Sequence, residues 1–335
     1  MSKILRIGDP HIKPSNLDEA ENLMHFINDV ILERKPDRVE ILGDLFHTHA
    51  LVRLEVLEFW VEWIDVLLSH EDVQFYVLRG NHDMASDAEN CPSVYSIFKH
   101  LRKKNFHYCD NPQVHGLFAY VSYYSDHEKF IEVANNCAKP EDGHQAKVLI
   151  CHQTFDGSRY ESGIWAPDGI DASKINYKLI ISGHIHTHQD MMKNGQRILY
   201  PGTPKWDTAS DANEDKGIWM YEHDDITGEI KSEELIRTAH VVTKIVKLTW
   251  IEGLPLEAIP SGCKVTLELI GTSKWIEESK AYLKGTVELI TKVTDKVERT
   301  TRQAGNSLED FVTNKFQTDV DRVELLKYMK GLNIV

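Results

Sequence analysis

The sequence predicts a layered α/β fold in which a second sheet packs on the first. Three observations predict it. Short apolar runs recur through the first two thirds of the chain, and each ends in a small polar cluster. Stretches of helical periodicity fill gaps between these runs. Two further stretches carry strand patterning with no helix between their strands.

Taken in order, residues 4–7 run into Gly-Asp-Pro-His, 39–42 into Gly-Asp-Leu-Phe-His, and 75–78 into Arg-Gly-Asn-His-Asp. Residues 148–151 run into His-Gln, and 179–181 into Ser-Gly-His-Ile-His. Apolar runs of four or five residues read as buried strands. Each cluster then lies on the loop past a strand's carboxyl end, where α/β folds gather their sites. Ala20, Leu23, Met24, Ile27 and Ile31 mark one helical stripe; Leu54, Leu57, Trp60, Val61, Ile64 and Leu68 mark another. Trp60 and Trp63 read as packing residues rather than a base-stacking platform. Residues 116–124 and 197–222 are the strand stretches without helices, and the polar, Gly-containing segment 155–173 reads as a long active-site loop.

Past about residue 240 the texture changes. Residues 241–250 and 263–270 alternate like half-buried strands, 273–284 are helical in pattern, and 286–293 form another strand. This is a small β-β-α-β unit without His/Asp clusters. Ser307 and Asp310 resemble a capping box opening a helix, and residues 319–330 pattern as a final amphipathic helix. The expected organisation is therefore a domain at 1–239, a second at 240–304, and terminal helices at 305–335.

Composition narrows the classes. At 335 residues, with 41% hydrophobic and 27% charged, the chain has room for two domains of about 150 residues each and is not disordered or collagen-like. No apolar run approaches the ~18 residues of a membrane span, and the first residues lack a signal peptide's pattern, so no membrane partner is expected. The five cysteines, odd in number and without a CxxC, fit free thiols in a reducing cytoplasm. A net charge of -14 taken alone argues against a polyanionic partner. The deficit is uneven, however. Residues 240–335 hold 14 basic and 13 acidic residues, which leaves 24 of the 38 basic and 39 of the 52 acidic residues to the remainder.

The chemistry sits in an ordered constellation: Asp9 and His11, Asp44, Asn81-His82-Asp83, His152, and His184 with His186. Carboxylates, an amide and imidazoles make a mixed O/N ligand set that suits Mn, Fe or Zn better than Ca or a thiolate-bound structural Zn. Seven ligands exceed one tetrahedral ion; with one shared carboxylate they suit two ions about 3.5–4 Å apart. Each fragment alone is weak, but all five in order, each after an expected strand, form a strong signal.

On these motifs (DPH, GDLF, GNHD, HQ and GHIH) the chain resembles the calcineurin-like metallophosphoesterases over roughly residues 1–225. Within that superfamily it looks most like the SbcD/Mre11 DNA repair nucleases, and its compact layout resembles phage-encoded versions, whose setting is the host cytoplasm. Three features carry the narrower resemblance: His47 in Gly-Asp-Leu-Phe-His, the segment from Tyr200 to Pro204 (YPGTP), and a small α/β unit followed by short helices. The resemblance implies a four-layer αββα metallophosphoesterase sandwich with a small C-terminal α/β capping domain and terminal helices. It implies that Asp9, His11, Asp44 and His186 hold one metal, that Asp44, Asn81, His152 and His184 hold the other, and that Asp44 bridges them. The implied cofactor is a pair of divalent ions, Mn first, with Mg, Fe or Zn as alternatives.

His82 is not a ligand in the family and is assigned as general acid to the leaving oxygen or as a cation toward transition-state charge. Asp83 is a candidate to orient it, and His47 resembles the residue that places the phosphate. His49 and His188 lie near motif loops where the family supplies no ligand. Arg79 either meets phosphate or pairs with an acid. The implied function is a Mn-dependent DNA exonuclease and endonuclease subunit working on DNA with an SbcC/Rad50-type ATPase, as a homodimer. The alternatives are a calcineurin-like phosphatase or phosphodiesterase acting on phosphoproteins or nucleotides, and a non-catalytic scaffold. Against the protein phosphatases, Leu-Phe-His-Thr-His follows Gly43-Asp44 where they carry Asp-Arg-Gly.

Overall fold

Apolar runs shielded on both faces become central strands, and the five marked in the sequence do so. The computed structural model describes residues 1–294 apart from 89–90, 101–102, 140–144, 167, 213 and 284–286. In chain order the strands are β1 (Ser2–Ile7), β2 (Arg38–Ile41), β3 (Gln74–Leu78), β4 (Phe106–Cys109), β5 (Gln113–His115), β6 (Phe118–Val121), β7 (Val148–His152), β8 (Leu179–Gly183), β9 (Gln189–Lys193), β10 (Gln196–Tyr200), β11 (Gly217–His223), β12 (Ile230–Arg237), β13 (Ile245–Ile251), β14 (Lys264–Gly271) and β15 (Glu288–Val293). The α-helices are α1 (Leu17–Arg34), α2 (Leu54–Leu68), α3 (His127–Cys137) and α4 (Ser273–Tyr282).

The five runs do not share one sheet. The first sheet has the order β12-β11-β1-β2-β3-β4, with β1 to β4 parallel and β11 and β12 antiparallel at one edge. The second has the order β5-β6-β7-β8-β10-β9, with β6, β7, β8 and β10 parallel. Residues 197–222, expected to belong to one added sheet, are divided: β10 joins the second sheet and β11 returns to pair with β1. Strand periodicity marks burial but not the pairing partner, so this division is invisible in the pattern.

Alternation along each strand assigns the layers. Leu5, Ile7, Val39 and Val77 pack with α1 and α2, burying Leu23, Ile27, Trp60 and Trp63. Ile4, Leu42 and Leu78 face the other way, against Tyr120, Ile150 and Ile181 of the second sheet. Leu149, Cys151 and Ile180 then cover Phe130 and Ala134 of α3. The result is helix, sheet, sheet, helix, as the α/β sandwich requires. Both tryptophans of α2 are packing residues, with Trp60 at 0% exposure.

A polar link crosses the apolar middle layer. Arg6 and Glu40 pair at 2.6 Å with both side chains fully buried. The Tyr120 hydroxyl donates to the other Glu40 oxygen at 2.6 Å and accepts from Arg38 at 2.7 Å. Arg6 also donates to His223 Nε2 at 2.8 Å. Because arginine only donates, His223 carries its hydrogen on Nδ1, which reaches the Gly228 carbonyl at 2.8 Å. Burial first, and then Arg6, push the His223 imidazole down to about 3.

The chain divides into two compact units, and the first runs continuously through Leu248. That is later than the change of texture near residue 239, because Val242 and Ile245 belong to the first unit's core. Strands β13, β14 and β15 form a three-stranded sheet, and α4 lies between β14 and β15 in the chain, as the β-β-α-β pattern predicts. Thr272 caps α4 through the Trp275 N–H, and Trp275 meets Trp250 edge-on at 5.0 Å. The terminal helices expected at 305–335 lie outside the described residues. All five cysteines are free thiols. Among the described residues, no helix is long and apolar enough to cross a membrane.

The cross-sheet link sets a stability test. Glu40→Leu strands Arg6 without its carboxylate and is expected to cost about 3–5 kcal/mol in urea unfolding. Tyr120→Phe leaves that ion pair in place and is expected to cost only about 1 kcal/mol. Equal costs would show that the pair contributes nothing distinct.

Candidate metal centre

Six parallel strands supply the site, three from each sheet. Past β1 come Asp9 and His11, past β2 comes Asp44, and past β3 comes Asn81. His152 ends β7, His184 and His186 follow β8, and the loop after β10 closes the rim. The first two loops are laced together: the His11 N–H donates to the Asp44 carbonyl at 3.0 Å, Ile12 to Leu45 at 3.0 Å, and His47 back to Ile12 at 3.2 Å. The sheets are then tied across the site. The His184 N–H donates to Asp9 Oδ2 at 2.7 Å, and His152 Nδ1 lies 2.7 Å from the Leu42 carbonyl.

The seven expected ligands converge. His11 Nε2 lies 3.0 Å from His186 Nε2 and 3.4 Å from Asp44 Oδ2. His152 Nε2 lies 3.4 Å from the same Asp44 oxygen, 3.1 Å from Asn81 Oδ1 and 3.2 Å from His184 Nδ1. Asn81 Oδ1 and His184 Nδ1 are 2.9 Å apart. Asp9, His11 and His186 form one potential ion-holding cluster, and Asp44, His152 and His184 another.

The chemistry of this donor set fits divalent ions. A carbonyl only accepts, so His152 Nδ1 carries a hydrogen and Nε2 is the ring atom that faces two oxygens and another ring nitrogen. Two atoms each about 2.1 Å from one ion stand roughly 3–3.4 Å apart, which is the spacing of these donors. Asp9 Oδ1, His11 Nδ1 and His186 Nδ1 are buried without a hydrogen-bond partner.

Electrostatics agree. Burial pushes Asp9 up to about 8 although His152 pulls it back. Burial works against Asp44 too, but His152 and His11 outweigh it and hold that carboxylate far below its ordinary range. Burial would lower His152; the Asp44 and Asp9 carboxylates instead hold it up at about 9. Burial and then His152 press His184 down to about 3. The cluster thus holds protons on Asp9 and His152 and one persistent anion, Asp44, where cations would serve.

The backbone is strained at the same places. His11, Asp44 and His184 have φ of 46°, 49° and 81°, in the left-handed region that costs a side-chain-bearing residue about 1–3 kcal/mol. Gly43 has φ 110°, and a Cβ there would lie 2.5 Å from His152 Nδ1.

Other expected residues fall out differently. The His82 N–H donates to Asp44 Oδ1 at 2.9 Å, and its Nδ1 reaches the His47 carbonyl at 2.6 Å. Asp83 does not orient His82. Its two oxygens accept from the Phe46 N–H at 3.2 Å and the Gly80 N–H at 2.9 Å, so it braces the loops. The His47 carbonyl does the orienting. His49 stacks on His82 at 4.0 Å between centroids. His188 turns away, bonding the Tyr200 carbonyl at 2.9 Å and stacking on Trp219. Arg79 pairs with Asp110 at 2.8 Å and donates to the Tyr123 carbonyl, which decides between its two readings.

A profile of the calcineurin-like phosphoesterases matches residues 2–188, more than half of the chain. The chain belongs to the calcineurin-like phosphoesterase family. Two relatives from viruses are similar to this calcineurin-like phosphoesterase at 28% identity. One is "Putative phosphoesterase 078R" of Invertebrate iridescent virus 3, over 60% of this chain and 56% of that protein. The other is "Putative phosphoesterase 244L" of Invertebrate iridescent virus 6, over 60% and 69%. The match thus spans little more than half the length of the first. Among solved structures, GAP50 of Plasmodium overlays with TM-score 0.40 and 11% identity, over 88% of this chain and 98% of that one.

Sequence reasoning missed five residues around this site. Tyr123 stacks on His184 at 5.9 Å between centroids, and Glu161 comes within 4.0 Å of His186. Asp207 lies 3.7 Å from His47 and binds the buried Lys205 at 3.2 Å. Tyr123 follows β6 and could have been found by the strand-end rule; Lys205 and Asp207 directly follow YPGTP. Lys216, fully buried, holds the His186 carbonyl at 2.8 Å while pairing with Asp211 at 2.7 Å and Glu214 at 3.1 Å.

Two measurements follow. Gly43→Ala is expected to weaken divalent-ion affinity roughly tenfold or more with circular dichroism unchanged, because the new methyl displaces His152. In the native chain, His152 must shed its proton to present Nε2. Asp9 must shed its proton as well, so apparent ion affinity is expected to rise with pH through about 8 to 9 and then level. A flat profile by titration calorimetry would show that neither Asp9 nor His152 holds a proton that ion binding must displace.

Proposed function

We propose that the chain is a metal-dependent phosphodiesterase acting on DNA, the nuclease subunit of a complex of the SbcC/Rad50 type. The observation that carries it is the convergence of seven O/N donors from both sheets with His47 and the YPGTP loop at their rim. The viral relatives' names give the phosphoester class without a substrate. The DNA reading is supported by the resemblance of GDLFH and YPGTP to that nuclease branch.

On this reading Asp9, His11, Asp44 and His186 hold one divalent ion, Mn first, and Asp44, Asn81, His152 and His184 hold the second. Such ions, when bound, acidify a shared water and offset the phosphodiester's charge. Asn81 adds a ligand without adding charge. His82 bonds through its backbone N–H and Nδ1, which leaves Nε2 for the leaving oxygen as general acid. Burial lowers its pKa, and an arriving phosphate's negative charge works in the opposite direction. His47, about a third exposed, is placed to meet the phosphate.

The test is duplex and single-stranded DNA with Mn, with and without the ATPase. Robust turnover of a small phosphomonoester with no DNA cleavage under any condition would overturn the reading. His82→Ala is expected to keep both ions and DNA binding and to lose roughly 10²–10⁴ in cleavage rate; loss of ions would make His82 a ligand. The partner reading has its own test. Deleting 305–335 is expected to abolish ATPase pull-down, and unchanged binding would refute docking through that segment.

A further inference from the structure

Lys205 is 1% exposed, an unusual place for a lysine, and the metal chemistry does not use it. Its ammonium lies 3.2 Å from Asp207 Oδ1, and the same oxygen takes Lys13 Nζ at 2.7 Å. Asp207 Oδ2 stands 3.7 Å from His47 Nδ1. Three loops bring these groups together: Lys13 past β1, His47 past β2, and Lys205 with Asp207 past β10. The first two loops are joined by the His47 N–H to the Ile12 carbonyl at 3.2 Å, and the first and third by Lys13 to Asp207.

Two ammonium groups share the Asp207 carboxylate, so that one carboxylate is outnumbered. Burial and then Lys13 hold His47 below its ordinary value, so it adds little charge. The next carboxylate acting on Lys205 is Glu19, which accepts from the Thr243 N–H at 2.6 Å, whereas the carboxylate partner of Lys13 among the described residues is Asp207 alone. Of the two lysines, Lys13 is the one that solvent reaches, at 26% side-chain exposure against 2%. Lys13 is also extended, with φ -143° and ψ 159°. Its backbone therefore lies up to about 7 Å from that of His11, two residues back. That is the scale of one nucleotide step. A flexible ammonium acts on phosphate as a point charge. The family match ends at residue 188, before Lys205 and Asp207.

We infer that Lys13, held by the Asp207–Lys205 pair, binds a second phosphate of a nucleotide substrate, next to the phosphate that is cleaved. This rests on the phosphodiesterase reading. Lys205 and Asp207 are positioning residues: Asp207 holds the ammonium beside His47, and Lys205 draws on the same carboxylate oxygen.

The experiment compares p-nitrophenyl esters of thymidine 5′- and 3′-phosphate, each with and without a phosphate on the other hydroxyl, using the full chain loaded with Mn. The native chain is expected to prefer a doubly phosphorylated ester roughly tenfold in kcat/KM, through KM. Lys13→Met is expected to bring that ratio to about one, and Lys13→Arg to retain most of it. A ratio that survives in Lys13→Met, at whatever absolute rate, overturns the inference. So does a native chain that hydrolyses all the esters equally well. Hydrolysis of none of them would sink the phosphodiesterase reading and the inference with it.

Discussion

A buried carboxylate governs this site. Asp44 is almost wholly withdrawn from water, and an anion there persists only if positive or donating groups surround it. One oxygen takes the His82 N–H, and the other faces His11 and His152, both at 3.4 Å. Those imidazoles come from different sheets. Two parallel edges must therefore end opposite each other, with their loops laced and their backbones turned into the left-handed region. The six-strand convergence meets that electrostatic demand.

The middle layer serves the same demand from within. Arg6 and Glu40 lie on β1 and β2, the strands that end in Asp9 and Asp44. Tyr120 fastens that pair to the second sheet on β6, beside β7, which ends in His152. An error in how the sheets register would be felt at the buried link and at the site together. Net charge also reads differently once the site is seen. The acidity of -14 belongs to the whole chain, whereas beside the cleft Lys13 and Lys205 converge on Asp207 next to His47. Global charge is a poor guide to the potential inside a cleft.

Much of this could be read from residues alone. The strand-and-cluster rhythm located every donor of the convergence, and the helix expected from Leu54 to Leu68 is α2, but its buried face runs through Val56, Phe59, Trp60, Trp63, Ile64 and Leu67, while Leu54 and Val61 of the expected stripe are exposed. Periodicity reports which faces are buried, so it gave the layers but not the division of β10 and β11 between sheets. The adjacency of Asp83 to His82 suggested a contact that the tight turn forbids, since Asp83 is needed to satisfy Gly80 and Phe46. Lys205 was passed over because lysine reads as surface, and its burial arises from three distant loops meeting. Val242 and Ile245 read as the start of the next domain, although they complete the first one's core.

Lys216 gives the loop of His184 and His186 a distinctive kind of permanence. Its buried ammonium grips the His186 carbonyl while paired with Asp211 and Glu214, at the mouth of β11. Lifting that loop would strip a buried ammonium of its carbonyl partner and open its ion pairs to water, so opening it alone is costly. Its amides should exchange with solvent on the timescale of the unit's own unfolding, and the segment belongs to the most cooperative part of the molecule even though it is a loop.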